Sequence, residues 1–398
     1  MGSEQHPLRQ SGIYRNLPTF DESIRGLKAI VVGATGISGF NTMRSLLDTP
    51  DRWATIYALS RSPPTDEMLS LFSSEQQSRI QHVSVDLKSS GEDIASSLTK
   101  AKVVADYVFF YGYIHPHGKS AMDPAMADAL VEANAPIFDN FLQALPLAEI
   151  KPKRILLQNP GTDWNIVMPF GVIGAVPGAG MNMFLPFAIM AAIQAEKGEP
   201  LFFGSDIDSW QCEYVHSSAR LTGFLSEWAV LEEKCKNQRF NAVDGVAMSW
   251  DRFYEELARW YGAVKRTDGP ELDESKFDKN VQLAGGKNAP LGYGPASEIK
   301  LSRTFNDWVK EPSTQETWDK IKRSSAGKIT SDPFNGGVDL VMADFAFYHI
   351  GQASFAKVRR FGFSGFVDSM ESVFEMYQEM AKMGVIPAPK VDAAKPMI

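Results

Sequence analysis

Residues 28–47 read KAIVVGATGISGFNTMRSLL, and this stretch decides the fold. A short apolar run comes first, three glycines spaced by two residues follow, and apolar positions at helical spacing come last. This order predicts a strand, a glycine turn and a helix. In that setting the glycines let the backbone approach a pyrophosphate at the positive end of the helix. The alternative is a glycine-rich turn without a function. The predicted cofactor contacts in the turn are Gly33, Thr35, Gly36, Ile37 and Gly39.

The strand pattern repeats along the first half of the chain. Apolar runs predict further strands at residues 54–60, 80–87, 105–113 and 154–158, and polar helical stretches separate them. This alternation predicts an α/β Rossmann fold, a doubly wound parallel sheet with helices on both faces. Helices dominate the later part of the chain. We therefore expect a flexible arm at 1–26, a dinucleotide-binding domain at 27–195, and a mostly helical substrate domain at 196–398 with some strands returning to the sheet.

The end of the second predicted strand indicates which dinucleotide binds. A carboxylate at this position would hold the ribose 2′-hydroxyl of NAD. The chain instead has Ser60, Arg61 and Ser62, and no acid occurs before Asp66. A guanidinium and hydroxyls suit a 2′-phosphate, so we predict NADP(H). The alternative is that Arg61 is a solvated surface charge.

Two later strand ends predict further cofactor contacts. Asp86 and Leu87 end the run VSVDL, and in such folds this position faces the adenine. Tyr111 ends the run YVFFY and is expected near the nicotinamide half.

The composition argues against several classes of function. The net charge is −8 with a pI of about 5.4, and no basic patch stands out, so we expect no nucleic-acid partner. Cys212 and Cys235 are too few for a disulfide framework or a thiolate metal site, which predicts a reduced, cytoplasmic protein without a metal. Residues 166–195 carry no charge, but prolines and glycines interrupt them, so we expect no membrane span there.

These motifs, taken in order, resemble a particular family. It is the atypical short-chain dehydrogenase/reductase group typified by plant progesterone 5β-reductase and iridoid synthase, with many fungal relatives. The resemblance covers roughly residues 27–390, and one departure is Met168, where the family usually has Arg. It implies a Rossmann NADP(H) domain under a mostly helical substrate domain, with cofactor contacts that include Pro169 and Ile173. The motifs are VVGATGISG, ALSRSP, SVDL, FFYGY and WNIVMPFGVIGAVPGAGMN.

The resemblance also implies a reaction. Hydride passes from the nicotinamide to the β-carbon of an activated C=C bond, and a tyrosine polarises the conjugated carbonyl oxygen as an enolate forms. The substrate would be a small apolar carbonyl compound such as a terpenoid, a steroid or a polyketide. In the family a lysine lies in a sequence like L-Q-T-G-x-K-x-Y after the fifth strand, and the tyrosine follows on the next helix.

The stretch RILLQNPGTDWNIVMPF, residues 154–170, departs from this pattern. Two apolar runs, 154–158 and 164–170, predict strands, and only five residues lie between them. A parallel connection needs about a dozen residues, usually a helix, so we expect that five residues cannot join two parallel strands here. The segment with the lysine and the tyrosine, on the order of 50 residues by the resemblance, has no counterpart. The family's catalytic pair is therefore assigned to no residue of this chain.

Three interpretations of the gap remain open. A gene-prediction or splicing error would have removed the segment from a normal reductase. Alternatively, the protein has lost the reductase site and binds NADP(H) for other work, such as an isomerisation, a cyclisation or a binding role. In the third interpretation residues 159–162 form a hairpin turn, with Pro then Gly at its centre, and residues 164–170 run antiparallel.

Some other residues are candidates for the missing proton donor, and some match known motifs but are expected to have no catalytic or metal-binding role. Tyr111 and Tyr113 are the candidates we favour, and Tyr214 is a further one. The Y-x-x-x-K pattern at 261–265 follows a predicted substrate-domain helix, so we expect no catalytic role for it. The histidines at 115 and 117 have no third ligand nearby, and His216 and Cys212 meet the same objection.

Two functions therefore stand at this stage. The first is an NADP(H)-dependent enone reductase, and the second is an NADP(H)-binding homologue without reductase activity. A homodimer is compatible with the sequence, which does not determine the oligomeric state.

Overall fold

The computed structural model describes most of the chain. The described residues are 7–116, 126–157, 162–178, 182–264, 267, 269–283, 285–288, 294–296, 298–337, 340–347 and 353–395. They form two compact units that interleave along the chain. The first unit comprises residues 1–168, 219–242 and 355–365, and the second comprises 169–218, 243–354 and 366–398. The division expected from the sequence had an arm at 1–26 and a single boundary between the two domains, after residue 195.

The strands, in chain order, are β1 Leu8–Ser11, β2 Tyr14–Pro18, β3 Leu27–Val32, β4 Trp53–Ser60, β5 Ile80–Ser84, β6 Tyr107–Phe110, β7 Arg154–Leu156, β8 Asp163–Pro169, β9 Val172–Ile173, β10 Glu213–Tyr214, β11 Ser217–Ser218, β12 Gln238–Ala242, β13 Met248–Ser249, β14 Lys279–Gln282 and β15 Glu298–Leu301. The α-helices are α1 Ile37–Leu46, α2 Asp66–Leu69, α3 Ser74–Ser78, α4 Gly91–Lys100, α5 Met126–Leu147, α6 Leu185–Lys197, α7 Ile207–Gln211, α8 Ala219–Leu231, α9 Trp250–Tyr261, α10 Phe305–Trp308, α11 Pro312–Ser324, α12 Ala356–Phe361 and α13 Ser369–Lys382.

A seven-stranded sheet forms the centre of the first unit. Its strand order is β12-β8-β7-β6-β3-β4-β5, and the pairs from β8 to β5 are parallel. The chain moves outward from β3 in one direction through β4 and β5, and in the other through β6, β7 and β8. The predicted doubly wound Rossmann sheet is confirmed. Its switch point lies between β3 and β6, which is where such sheets bind their ligands.

Helices cover both faces of this sheet. On one face, α4 and α5 share a core with alternate strand residues, including Val32 of β3 and Ile155 of β7. On the other face α1 packs beside α8, and Ser45 of α1 donates a hydrogen bond to the Arg220 carbonyl at 2.7 Å. Buried on both faces, the central strands have the near-continuous apolar character that parallel strands require.

The N-terminal segment differs from the arm expected from its polar composition. β1 and β2 form an antiparallel hairpin, in which Tyr14 and Leu17 are buried. The Tyr14 ring contacts Phe224 of α8 edge-on at 5.8 Å between centroids. A few apolar residues in a polar stretch are sufficient for ordering when a helix covers them. Residues 1–6 lie outside the described part of the chain.

The pairing of β7 with β8 corrects the interpretation of the short connection. The two strands are parallel, so the hairpin interpretation is wrong. The expectation that so short a segment cannot join parallel strands is also wrong. Six residues can reach back across one strand spacing, since an extended residue spans about 3.3 Å. Leu157, the first of them, has a φ of +147°, which is a strained value for a residue with a side chain.

The second unit has a helical and aromatic core. Its sheets are short pairs, β9 with β11, β10 with β13, and β14 with β15. Phe187 of α6 lies at the centre of an aromatic cluster formed by Phe184, Trp250, Phe253, Tyr254, Phe305 and Phe347. Across the residues that the structure describes, no helix combines the length and the apolar character needed to cross a membrane.

Candidate cofactor site

The glycine turn lies at the switch point of the sheet. Gly33 follows β3 with a φ of +78°, and its amide donates a hydrogen bond to the Leu59 carbonyl of β4 at 2.9 Å. A Cβ on Gly33 would lie 2.7 Å from the Tyr111 carbonyl oxygen at the end of β6. Both the backbone conformation and the close approach of β6 therefore require glycine at this position.

The other two glycines of the turn meet different requirements. A Cβ on Gly39 would overlap the Gly33 carbonyl, so this glycine lets α1 pack closely on the turn. Gly36 is exposed and has an ordinary φ of −84°, and a Cβ there would meet only the Gly33 carbonyl oxygen, at a van der Waals distance of 3.4 Å. Space at the second glycine is what allows a pyrophosphate to approach the backbone. The three positions together fit a bound dinucleotide.

The N-terminus of α1 is suited to an anion. Its N-cap is Gly36, which offers no side-chain acceptor, and no acidic residue stands in the first turn. The amide groups of that turn are therefore available to a ligand, and the helix dipole makes them electropositive. This is the arrangement in which helices bind phosphate groups.

Arg61 lies at the same edge of the sheet as the glycine turn. The Leu59 carbonyl of β4 accepts hydrogen bonds from both Gly33 and Ala34. Two positions later, the Arg61 carbonyl accepts a hydrogen bond from the Ser84 hydroxyl at 3.0 Å, which fixes the backbone. The side chain is exposed, and none of the described residues contacts its guanidinium through a hydrogen bond or an ion pair. Ser60 donates to the Ser62 carbonyl at 2.7 Å and closes the loop.

Asp86 and Leu87 follow the neighbouring strand β5. The Asp86 carboxylate accepts a hydrogen bond from the Lys88 amide at 3.0 Å, and the Leu87 carbonyl accepts one from Asn140 of α5 at 3.1 Å. A Cβ on Gly112, just after β6, would meet the Leu87 side chain at 2.6 Å. The sheet therefore brings the ends of β3, β4, β5 and β6 to one edge, as the sequence predicts for a cofactor site.

Tyr111 holds elements of the first unit together. Its hydroxyl accepts a hydrogen bond from Thr42 of α1 at 3.0 Å and donates one to Ser226 of α8 at 3.1 Å. Burial raises the pKa of Tyr111 to about 12. Both polar contacts of this hydroxyl are thus used inside the unit. Sequence reasoning missed Thr42 and Ser226. They lie 69 and 115 positions from Tyr111 in the chain, and no local pattern indicates contacts over such separations.

Tyr113 has a different environment. Its side chain is about half exposed, at 52%, and its hydroxyl has no partner among the described residues. Partial burial raises its pKa. Tyr113 borders a cavity of about 370 Å³ beside α5, which we call the α5 groove. The groove is lined by Phe110, Gly112, Tyr113, Leu130, Val131, Asn134, Ala135, Phe138 and Leu157.

Pro169 and Ile173 belong to the second unit. Ile173 is buried in β9, which pairs in parallel with β11, and Pro169 is exposed. The Phe170 amide between them donates to the Ser217 hydroxyl at 2.7 Å. His216 lies beneath this segment, since a Cβ on Gly171 would be 3.0 Å from its ring.

A buried polar cluster around Asp244 in the second unit was not predicted from the sequence. Asp244 accepts hydrogen bonds from the Ser218 amide at 2.6 Å and hydroxyl at 2.8 Å, and from the Ser369 hydroxyl at 2.9 Å. Burial raises the pKa of Asp244 to about 7. The neighbouring His216 is also buried, and burial lowers its pKa to about 4. The cluster joins segments far apart in the chain.

The remaining polar candidates have structural surroundings. Tyr261 is buried, and burial raises the pKa of its hydroxyl, while residue 265 of the Y-x-x-x-K pattern lies outside the described residues. His117 lies outside them as well. Cys212 and Cys235 are free. Within the described ranges, no three His, Cys, Asp or Glu side chains cluster as metal ligands would.

Comparison with known proteins gives relatives at low identity. No family model matches the chain. An uncharacterized protein of Schizosaccharomyces pombe is 23% identical over 428 residues, covering 91% of this chain and 98% of the relative. A short chain dehydrogenase of Penicillium aethiopicum is 22% identical over 414 residues, covering 90% and 99%. A 3-oxo-Delta(4,5)-steroid 5-beta-reductase of Arabidopsis thaliana is 24% identical over 341 residues, covering 72% and 78%.

One solved structure resembles the chain over almost its whole length. It is the terminal R domain of the myxalamid PKS-NRPS biosynthetic pathway, with a TM-score of 0.54 and 13% identity, covering 94% of this chain and 97% of that domain. At this identity the likeness shows the fold. Fold and relatives together resemble those of the short-chain dehydrogenases/reductases. Within that class they are consistent with an atypical member of the kind typified by progesterone 5β-reductase and iridoid synthase.

Proposed function

We propose that this chain binds NADP(H). We further propose that the protein, in a form that has reductase activity, reduces the C=C bond of an enone in a small apolar metabolite. The observation that carries the proposal is the glycine turn at the switch point of the sheet, with Arg61 at the end of the next strand. One relative is named as a 5-beta-reductase of 3-oxo-Delta(4,5)-steroids, which are enones. The two free cysteines agree with a reduced compartment such as the cytoplasm.

The preference for NADP(H) rests on Arg61. Its backbone is fixed and its guanidinium has no described partner. A 2′-phosphate placed beyond β4 would accept charge-assisted hydrogen bonds from it, and no carboxylate stands at this position to favour NAD. The amides at the N-terminus of α1 would hold the pyrophosphate.

The chain's own residues would support the reduction as follows. The bound cofactor supplies the hydride. Tyr113 keeps its proton at neutral pH because the ordinary pKa of tyrosine is 10.0 and partial burial raises the pKa of Tyr113 further, and its hydroxyl is able to donate a hydrogen bond to the substrate carbonyl. Tyr111 would act indirectly, since its hydroxyl is held by Thr42 and Ser226 and so fixes the end of β6.

A specific observation favours the second candidate, an NADP(H)-binding homologue without reductase activity. Only six residues, 157–162, join β7 to β8. They have no room for the segment that would carry the family's lysine and tyrosine. The alignment with the Schizosaccharomyces pombe relative extends over 428 residues, more than the 398 of this chain, so the relative has residues that this chain lacks.

The first experiment tests the cofactor, which both candidates share. Titration of the protein with NADPH and with NADH should give tighter binding of NADPH. Arg61→Ala should weaken NADPH binding by about tenfold or more, the range expected for a lost hydrogen bond to a charged group, and should leave NADH unchanged. Arg25→Ala removes another exposed arginine of the same unit and serves as the control. An unchanged preference in Arg61→Ala would refute the assignment.

The second experiment separates the two candidates. The native transcript is sequenced across the codons for residues 157–164. An additional segment with a lysine and a tyrosine would make the reductase the protein's function. If the transcript matches the present sequence, NADPH consumption with a panel of enones decides. Turnover would support Tyr113 as donor, and binding without turnover would support the non-reductase homologue.

A further inference from the structure

The loop that follows β4 carries the candidate contacts to the 2′-phosphate, and its start is fixed by β5. Ser60, the last residue of β4, is the register partner of Ser84. The Ser60 carbonyl accepts a hydrogen bond from the Val85 amide at 3.1 Å. The Nε2 atom of His82 lies 3.2 Å from the same oxygen, and the ring donates there because a carbonyl oxygen can only accept. Two donors on one carbonyl fix the direction in which the chain leaves the sheet.

The other end of the loop is fixed as well. Two prolines, at positions 63 and 64, restrict the backbone, and Pro64 is buried. The Thr65 hydroxyl then accepts a hydrogen bond from the Met68 amide at 3.3 Å and caps α2. Arg61 and Ser62 are therefore the two residues between these anchors, and the contacts of their backbone decide where their side chains can reach.

Two serine hydroxyls are committed to the backbone of the loop. Ser60 donates to the Ser62 carbonyl at 2.7 Å, and Ser84 donates to the Arg61 carbonyl at 3.0 Å. A hydroxyl group carries one proton, so neither serine can at the same time donate to a phosphate oxygen. Ser60, which the sequence predicts as a cofactor contact, is thus engaged within the loop.

Two other polar groups of the loop are available to a ligand. The side chains of Arg61 and Ser62 are exposed, and no described residue contacts the guanidinium or the Ser62 hydroxyl through a hydrogen bond or an ion pair. Phosphate oxygens accept hydrogen bonds, and a guanidinium can donate two of them in parallel. A 2′-phosphate beyond β4 would therefore be bound by Arg61 and Ser62.

Ser84 has a different relation to this phosphate site, because it acts on the backbone of Arg61 from a neighbouring strand. Its hydroxyl reaches the carbonyl of a residue 23 positions earlier in the chain. A residue whose backbone is already held loses less conformational freedom when its side chain binds a ligand, so binding is tighter. The benefit is confined to NADP(H), since NAD(H) has no 2′-phosphate for the guanidinium to bind.

From these observations we infer that Ser84 is a positioning residue for cofactor choice. Without touching the cofactor, its hydroxyl holds the Arg61 backbone so that the guanidinium and the Ser62 hydroxyl meet the 2′-phosphate of NADP(H). The inference rests on the proposed function, because it requires NADP(H) to bind at the end of β4. It adds a determinant of selectivity that lies on β5, outside the loop that binds the phosphate.

The test measures the dissociation constants of the full chain for NADPH and NADH, and compares their ratio between variants. Ser84→Ala should reduce the preference for NADPH by about fivefold, the effect of one lost hydrogen bond, and should leave NADH binding unchanged. Ser84→Thr keeps the hydroxyl and should keep the preference. Ser84→Val has the shape of threonine without the hydroxyl and should behave like Ser84→Ala.

A matched control comes from another serine of the same unit. Ser78 is also exposed, and its hydroxyl donates to the Glu75 carbonyl at 2.7 Å. Ser78→Ala removes a hydrogen bond of the same kind away from the loop, so the preference for NADPH should not change. Equal melting temperatures of Ser84→Thr and Ser84→Val would show that the difference between them arises at the cofactor site.

A double variant tests whether Ser84 acts through Arg61. Arg61→Ala removes the guanidinium, so adding Ser84→Ala to it should not reduce the preference further. A further reduction in the double variant would overturn the inference. Equal weakening of NADPH and NADH binding in Ser84→Ala, or loss of the preference in Ser84→Thr, would overturn it as well.

Failure of the inference is distinguishable from failure of the proposed function. If Arg61→Ala removes the preference for NADPH and Ser84→Ala leaves it intact, the proposed cofactor stands and the role of Ser84 is refuted. If the unmodified chain shows no preference for NADPH, the proposed cofactor and the inference are refuted together.

Discussion

Ile155 of β7 lies directly opposite Trp164 of β8 in a parallel pair, only nine positions later in the chain. Ala29 and Ile56, partners in β3 and β4, are separated by the whole of α1. The pairing of β7 with β8 is therefore set by the sheet that both strands extend and by α8 on the other face. The connection is short enough to close the pair but leaves one of its faces open.

Two glycines of the turn should respond in opposite ways to alanine. Gly39→Ala places a Cβ against the Gly33 carbonyl, so we expect a loss of about 1–3 kcal/mol in the free energy of unfolding. Gly36→Ala has space and an ordinary φ, so stability should stay nearly constant while NADPH binding weakens. Urea unfolding and NADPH titration of both variants check this. Equal loss of stability in the two variants would contradict the roles assigned to them.

The two tyrosines after β6 should separate stability from activity. Tyr111→Phe removes the link between Thr42 and Ser226 and should lower the free energy of unfolding by about 1 kcal/mol. Tyr113→Phe should leave stability unchanged, because its hydroxyl has no described partner. In a form of the protein that reduces enones, Tyr113→Phe should lower kcat. Full turnover in that variant would remove Tyr113 as the donor.

Asp244 should destabilise the fold as pH rises. A free aspartate side chain has a pKa of 3.8, and burial raises the pKa of Asp244 in the folded protein to about 7. Between these values the folded state keeps a proton that the unfolded state releases, so the free energy of unfolding falls with rising pH. Asp244→Asn removes this dependence. Relative to the parent, the variant should gain stability as pH increases from 3.8 to about 7, measured by urea unfolding across this range.

His216 should contribute with the opposite sign. Burial lowers its pKa from 6.5 to about 4. As pH falls from 6.5 to about 4, His216 becomes protonated in the unfolded chain but stays neutral in the folded state, so the free energy of unfolding decreases on acidification. His216→Gln should therefore gain stability relative to the parent as pH falls from 6.5 to about 4. The same unfolding series tests both variants, and slopes of equal sign would show that one of the two assignments is incorrect.

Much of the first unit could be predicted from local sequence. The glycine spacing after an apolar run identified the turn, because strand, tight turn and helix each depend on residues close in the chain. The alternation of strands and helices gave the doubly wound sheet for the same reason. The positions of Arg61 and Asp86 at one sheet edge followed from parallel pairing. The preference for NADP(H) stays a prediction until cofactor binding is measured.

Other features had no local signal. The N-terminal hairpin is ordered by Tyr14 packing on Phe224, a contact between residues 210 positions apart that composition could not indicate. The sequence placed Tyr111 near the cofactor, but only the fold showed its hydroxyl between α1 and α8. The resemblance indicated that a segment was missing after β7, whereas the structure showed that β7 and β8 pair in parallel without it.

By itself, the sequence determined the turn and the strand and helix alternation, since periodicity and backbone sterics act over a few residues. The class of the protein was indicated by the resemblance of its motifs to a known family. The tertiary structure decided which side chains meet: Asp244 with Ser218 and Ser369, and Ile155 with Trp164. Burial then set the pKa values and the packing of these side chains, because desolvation and packing depend on distant segments brought together by folding.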